Sequence, residues 1–446
     1  MRAHNLASRR KGTRGFASAI AALLATCTMG VGLLCSDDRP PDVRDLMPVR
    51  IAIPDNENAF TYYQQAGSQK LFDPYDSKMP ETRWYDMADG ILPWDDALAN
   101  ELLEKNAAVL DDFRKALACE SAQAPPLDLR FTALSGLSTL RVAARLMAVR
   151  AHKLAVDGKH KEALDEVSAL VKAGKQIEGS GLGMAGLIVG AAFKKIAANA
   201  LLHLPGIGNE DAFRHGEVVG ILDAAVLDRE SHERAIKTEF EFMDRALLEL
   251  PKVRSWPLYG GVDIPVTGYS VKVNESRRKL AEGYRVCIAN LSREYADRVQ
   301  PDLPDVSAFR QPSIIDIEMI GDDPFRQMSL ADNTRALLRR NLVGQLLYAD
   351  FVRAVYRVQE YDCEFRADMA GMKTLVALRY HKQKTGALPR SLDALVPEFL
   401  ERVPSDPYNG QPLRYLPEKR IIYSVGPDML DDGGDKSKDK CFETDF

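Results

Sequence analysis

The sequence predicts a mainly α protein: a body of paired helices followed by a small C-terminal α+β module that contains a β-hairpin. Three observations predict it. Apolar residues recur at three- and four-residue steps through most of residues 57–361. The two most regular runs meet at Asp157-Gly158-Lys159, a break short enough to make them a helical hairpin. Beyond Gly386 the period changes, and short apolar runs flank a turn at Pro417–Arg420, as a β-hairpin requires. With 46% hydrophobic and 28% charged residues, the 446-residue chain has ample material for a core and is not compositionally disordered.

The amino terminus has its own signature. Arg2, Arg9, Arg10, Lys11 and Arg14 precede a stretch, Gly15 to Ser36, that holds no charged residue. A basic start followed by an apolar run is what export machinery reads. The run is also near the roughly 20 residues that span a bilayer as a helix. Residues 1–35 are therefore expected to be an export signal or membrane anchor. The basic flank predicts that the body lies beyond the membrane, in the periplasm or cell envelope, or is secreted. Cleavage and retention both remain open, and Cys35 in Gly32-Leu33-Leu34-Cys35 adds lipidation. Ser8-Arg9-Arg10-Lys11 carries the two arginines of a twin-arginine signal, but Gly12 and Thr13 stand where that signal continues apolar. Without these 35 residues the balance is 54 basic against 64 acidic, a net charge of -10. An acidic body lacks the basic footprint of nonspecific nucleic-acid binding, so no nucleic-acid partner is expected.

Residues 36–56 are rich in Pro and charge without a period and read as a linker. From Glu57 a helix is expected through Ala59, Tyr62, Tyr63 and Ala66. Residues 68–95 hold several breakers with Trp84 and Trp94, which are expected to pack beneath an irregular connection. Leu102, Leu103, Val109, Leu110, Phe113 and Leu117 mark the next amphipathic helix. Leu140, Ala144, Met147 and Ala151 then give a broad apolar face. After Gly158 the pattern resumes at Ala163, Leu164, Val167, Leu170 and Val171. The stretch LAVDGKHKEALDEVSAL resembles the turn of a tetratricopeptide-type hairpin, with Ala163 permitting close helix contact. It occurs once, without a 34-residue period, so a tetratricopeptide-like layer is expected and a regular solenoid is not.

Gly181-Leu182-Gly183-Met184-Ala185-Gly186 matches GxGxxG, the dinucleotide fingerprint. That fingerprint needs a preceding strand and a surrounding βαβ unit. Here the preceding segment is helical, so the glycines are expected to serve helix packing, and Lys194 and Lys195 argue against a second membrane span. Further helices are expected at roughly 208–250, 274–300 and 329–385, with Pro- and Gly-punctuated loops at 251–273 and 301–325.

Motifs for catalysis are missing. The seven histidines form no HExxH, and there is no GxSxG elbow and no Walker loop. Asp223, Asp228, Glu239 and Glu241 read as ordinary helix or loop charges. Of six cysteines, Cys27 and Cys35 belong to the leader. Cys119, Cys287, Cys363 and Cys441 show no zinc-ligand spacing; in an oxidising compartment one or two disulfides among them are compatible, with pairing open.

The end of the chain carries the most specific pattern. A helix is expected to stop at Gly386, Ser391 to cap a short helix, and Leu413–Leu416 to pair with Ile421–Ser424. The order ALRYHKQKTGALPRSLDALV, DPYNGQPLRY, IIYSVGPDMLDDGG resembles the globular end of type II secretion major pseudopilins over about 65 residues. That resemblance implies a calcium ion in the last loop. By position Asp428, Asp431, Asp432 and Asp435 would supply carboxylates and Val425 a carbonyl. Calcium takes six to eight hard oxygens. More than 300 residues separate the apolar leader from this module, and Ile20 stands where a prepilin has Glu, so pseudopilus assembly is not implied. The whole layout, including Asn341-Leu342-Val343-Gly344, is similar to large envelope-protein families of planctomycete-type bacteria, which implies a compartment and no reaction.

The sequence thus divides into 1–35 leader, 36–56 linker, 57–361 helical domain, 362–436 pseudopilin-like module and 437–446 tail. It favours an exported, membrane-associated scaffold or interaction protein with a protein partner. A secretion-associated component and an extracytoplasmic hydrolase are the alternatives, with enzyme activity the less favoured.

Overall fold

The structure, a computed structural model, describes residues 39–73, 84–128, 132–258, 262–306, 338–444 and 446. The leader read at 1–35, most of the 301–325 loop and the expected start of the last helix lie outside the described residues. The described chain is mainly helical with a small C-terminal antiparallel sheet, as expected. Among the described residues ten helices run in order: α1 (Ala59–Ser68), α2 (Asp96–Lys105), α3 (Ala107–Ala118), α4 (Leu137–Val156), α5 (His160–Gly179), α6 (Gly183–His203), α7 (His215–Ala224), α8 (Arg229–Glu249), α9 (Val273–Asn290) and α10 (Leu342–Thr385). Strands β1 (Ser255–Leu258) and β2 (Val262–Pro265) fall between α8 and α9, and β3 (Arg414–Leu416), β4 (Ile421–Ser424) and β5 (Lys440–Glu443) follow α10.

Where these helices start and stop follows from side chains that compete for their end groups. Asn58 caps α1, its Oδ1 accepting from Phe60 N–H at 3.1 Å. The helix expected across Leu102 to Leu117 is two, because the buried Asn106 turns its amide on the backbone. Its Nδ2 donates to Leu102 O at 2.9 Å and its Oδ1 accepts from Phe72 N–H at 2.9 Å. The run expected at 208–250 divides at residues 225–228. Asp228 restarts it, taking Ser231 N–H at 2.9 Å and the Ser231 hydroxyl at 2.7 Å. The run expected to reach 300 ends at Asn290, whose side chain bonds both N–H and O of Val299 at 3.0 and 2.8 Å. Gly386 at φ +84 stops α10 where expected, its N–H reaching Lys382 O at 2.8 Å.

The chain forms two compact units. One comprises Leu46–Phe242, Tyr284–Pro301 and Ala354–Phe446. Within it α4 and α5 make the expected hairpin across Gly158, and α6 packs against both. The apolar faces read from the sequence are inside: Leu140, Ala144, Met147, Ala151, Ala163, Val167 and Leu170 are all buried. A polar tie crosses this layer. Tyr63 donates to Gln176 Oε1 at 2.6 Å, and Gln176 Nε2 donates to Cys119 O at 2.8 Å, linking α1, α5 and the end of α3. Helix α6 is long and apolar enough to cross a bilayer by length and composition, yet most of it is buried in this helical layer.

The α5–α6 contact explains two glycines. A Cβ on Gly190 would fall 2.5 Å from Gly174 O, and one on Gly174 would fall 2.8 Å from Gly190 O. The backbones touch because neither residue has a side chain. These two lie outside the GxGxxG motif; of the motif's own glycines, Gly186 comes close to α5, where a Cβ would fall 3.0 Å from Ile177 O.

In the C-terminal module of this unit, β3, β4 and β5 form one antiparallel sheet with Tyr415 opposite Ile422 and Ile422 opposite Phe442. The hairpin β3–β4 was expected; β5, in a stretch read as tail, was not. Its anchor is Phe442, whose ring lies where a Cβ on Gly371 of α10 would sit. Asp406, fully buried, ties the turn at 404–410 to the end of β4. It accepts from Tyr408 N–H at 3.0 Å, the Ser424 hydroxyl at 2.9 Å and Val425 N–H at 2.8 Å. Below it Cys363, Ala367, Tyr408 and Val425 form an apolar cluster against α10. Ser391 does begin a short 3-10 helix, Leu392–Leu395, but its hydroxyl meets Asp393 at 3.5 Å and no backbone N–H.

The other unit comprises, of the described residues, 39–45, 243–258, 262–283, 302–306 and 338–353. The segment read as a loop at 251–273 holds an antiparallel hairpin, Ser255 opposite Pro265 and Leu258 opposite Val262. Asn341 organises the start of α10. At φ +57 and buried, it donates its N–H to Tyr269 O at 2.8 Å while its Oδ1 accepts from Lys272 N–H at 2.7 Å and the Ser276 hydroxyl at 3.0 Å. Arg277 and Asp244 add a two-pronged buried ion pair at 2.6 and 3.0 Å.

Candidate functional site

Three places are candidates for a functional site, and all lie in the unit that contains the helical layer and the C-terminal module.

The first is the GxGxxG stretch at the start of α6. A helix N-terminus with exposed N–H groups attracts an anion. Here the anion belongs to the protein: Glu239 of α8 points its Oε2 at Met184 N–H, 3.3 Å away, and a Cβ on Gly183 would fall 2.6 Å from the same oxygen. Burial raises the Glu239 carboxyl above its ordinary pKa, and the Met184 N–H acts the other way. The position that a phosphate would take in a dinucleotide fold is filled by a carboxylate. Glu239, read from the sequence as an ordinary charge, is the residue that fills it.

The second is a groove of about 740 Å³ between α5 and α7. The two helices run in the same direction. At one end the His160 ring meets the Phe213 ring at 4.9 Å. At the other the Lys194 ammonium lies between Glu178 Oε2 at 2.5 Å and Val226 O at 3.4 Å. On α7 the lining residues Glu217, Gly220, Ile221 and Ala224 follow helical spacing. On α5 Leu164, Ser168, Val171 and Lys175 do the same. Leu164, Val171 and Ile221 form the apolar floor. Small residues, Ser168 and Gly220, leave its centre open, and a Cβ on Gly220 would meet nothing within 4 Å. Charges on the rim are segregated. Lys172 and Lys175 stand at the Ala224 end, while Asp165, Glu217 and Lys161 stand at the other. The Lys172 ammonium donates to Leu117 O at 2.6 Å; Lys161 and Lys175 make no ion pair among the described residues. Sequence reading missed this groove. The only local trace is the set of exposed Lys, Asp and Ser residues on the outer face of α5.

The third is the acidic loop after β4, where calcium was expected. Its predicted ligands are engaged separately. Asp428 Oδ1 accepts from Leu430 N–H at 3.0 Å. Asp431 accepts from the Tyr423 hydroxyl at 3.0 Å, Gly433 N–H at 3.1 Å and Arg414 at 2.7 Å, and these donors hold its pKa below the ordinary carboxylate value despite some burial. Asp432 Oδ1 pairs with Lys438 at 2.8 Å. Asp435, fully exposed, accepts from the N–H and hydroxyl of Ser437, which lower its pKa. Val425 is buried, with its N–H on Asp406. Among the described residues no three His, Cys, Asp or Glu side chains are grouped to hold a metal ion. Two carboxylate oxygens in this loop are nonetheless buried without a hydrogen-bond partner, Oδ2 of Asp432 and Oδ1 of Asp439. Asp439, which the sequence reading did not include, is only 4% exposed, and its other oxygen accepts from Gly434 N–H at 2.8 Å and Asp435 N–H at 3.2 Å.

No protein-family model, curated protein or solved structure matches the chain. The resemblances drawn from residues 370–435 and from the overall layout therefore rest on the sequence alone.

Of the remaining expected features, Cys119, Cys287, Cys363 and Cys441 are free thiols. Burial raises Cys287 to about 12 and Cys363 to about 11, far from a nucleophile's range. Trp84 is buried and Trp94 stacks on His152 with ring centres 4.2 Å apart. Burial, and the neighbouring His203 to a lesser degree, lower His152 to about 4.

Proposed function

We propose that this chain is an exported, membrane-associated interaction protein that offers the α5–α7 groove to a protein partner. The observation that carries this reading is the groove itself. It has an apolar floor between two helices, small residues at its centre, and rim charges that face water. Helix-lined grooves of this kind receive apolar side chains from a partner and use rim charges to select it. The basic start and apolar leader support the export part of the reading. A photo-reactive residue at position 168, incorporated in intact cells, is expected to give a discrete protein adduct that disappears when Gly220→Leu fills the groove. Absence of any Gly220-dependent adduct defeats the reading.

A second reading is favoured by one observation in the C-terminal loop. The buried, unpartnered oxygens of Asp432 and Asp439 are donors of the kind a hard cation takes. Calcium bound there would stabilise the module and screen the repulsion among neighbouring acids. The test is calcium titration of the melting temperature: a rise is expected in the native chain and none in Asp439→Asn. A calcium-insensitive melting temperature in the native chain removes the cation.

A further inference from the structure

We infer that the partner seated in the α5–α7 groove is an amphipathic helix with segregated charge, its acidic end against Lys172 and Lys175 and its basic end against Asp165 and Glu217. This rests on the reading of the groove as a docking site.

The shape argues for a helix. Both walls are helices, and both present side chains at three- and four-residue steps. A third helix can therefore lay a stripe of side chains between the two rows. Neither wall offers a strand edge, so an extended peptide would find no ladder of backbone donors and acceptors there. The opening over Ser168 and Gly220 takes one large apolar side chain, and Leu164, Val171 and Ile221 would bury it.

The charge argues for segregation. The Ala224 end carries two lysines and no acid among its lining residues, whereas the Glu217 end carries two acids and one lysine. A helix with glutamates in its first turns and lysines in its last complements its own macrodipole. Seated with its acidic first turns at the Lys172 and Lys175 end, it would run antiparallel to α5 and α7. A second copy of the chain is a poor occupant, because two bodies of the same negative charge repel.

The experiment uses the full chain and three synthetic helical peptides that share one leucine stripe with a central tryptophan. One has glutamates in its first half and lysines in its second, one has glutamates throughout, and one has lysines throughout. Affinity is read by fluorescence anisotropy at low and high salt. The segregated peptide is expected to bind about tenfold more tightly than either uniform one at low salt, with the gap closing as salt rises. Lys172→Glu/Lys175→Glu is expected to move the preference to the all-lysine peptide. Gly220→Leu, whose Cβ has open space, is expected to block every peptide without unfolding the chain. Equal affinity for all three peptides, with Gly220→Leu still blocking them, overturns the charge assignment and leaves the docking groove. Binding unaffected by Gly220→Leu, or no binding of any peptide, overturns the helix proposal. In that case the adduct at position 168 decides separately whether the groove docks a protein at all.

Discussion

The Lys194 ammonium lies 2.5 Å from Glu178 Oε2, and both side chains are shut off from solvent. The pair sits where α6 crosses α5, one turn from the glycine contact, and Glu178 Oε1 has no hydrogen-bond partner. Burial raises Glu178 to about 7, against the pull of Lys194, and lowers Lys194, against the pull of Glu178. Two charges in this setting hold each other in place without being a net source of stability.

Removing one member exposes that balance. Lys194→Met leaves an uncompensated buried carboxyl and is expected to cost about 3–5 kcal/mol at pH 8. The cost should shrink as pH falls and Glu178 takes up a proton. The double variant Glu178→Leu/Lys194→Met is expected to recover most of the loss. Urea denaturation at pH 8 and pH 5 measures all three. A Lys194→Met cost that does not change with pH contradicts this account.

Gly190 and Gly220 separate crowding from propensity. Gly190→Ala forces α5 and α6 apart and is expected to cost about 1–3 kcal/mol. Gly220→Ala places its methyl in open space on a helix and is expected to stabilise by about 0.5–1 kcal/mol. Thermal melts of the two variants should move in opposite directions.

His232 sets an acid limit. It is 1% exposed with Nε2 unpartnered, and burial holds it at about 4 although Asp362 and Asp228 pull upward, Arg366 and Arg298 adding to the depression. Because the folded value lies below the ordinary 6.5, the unfolded chain binds more protons between the two. Its contribution is present above pH 6.5 and is lost as pH falls toward 4. The expected loss is on the order of 2–3 kcal/mol. His232→Gln should flatten the stability–pH slope in that window, whatever its stability at pH 7. An unchanged slope would show that this histidine is not held neutral.

Asp406 should be the weak point of the C-terminal module. Three donors, Tyr408 N–H, the Ser424 hydroxyl and Val425 N–H, converge on its carboxylate. Asp406→Ala leaves them buried and unpaired and is expected to cost roughly 3 kcal/mol or more. Asp406→Asn keeps one acceptor oxygen and should cost less. Hydrogen exchange at residues 404–425 is the readout, and faster exchange confined to that stretch is expected.

Glu239→Ala removes the carboxylate from the start of α6 and is expected to cost about 1–2 kcal/mol, while Glu239→Gln retains an acceptor and loses less. A melt comparison of the two suffices.

What the sequence determined by itself was local. Residues three and four apart share a helix face, so the apolar rows on α4 and α5 were legible, and so were the Gly158 turn and the Gly386 stop. The short hairpin of β3 and β4 was legible for the same reason, because a few adjacent residues carry its alternation and its turn. Tertiary structure decided whatever depends on residues distant in the chain. It split one expected helix where Asn106 met Phe72, and it made a strand of Lys440–Glu443 by seating Phe442 on Gly371, whereas the break at Asp228 was local, its partner Ser231 lying three residues on. It put Glu239 at the glycine-rich turn, Lys194 beside Glu178, and α7 alongside α5 to open the groove. The reason is physical: periodicity records which face of an element is buried, whereas the group that fills a helix end or pairs a buried charge comes from whichever element packs there.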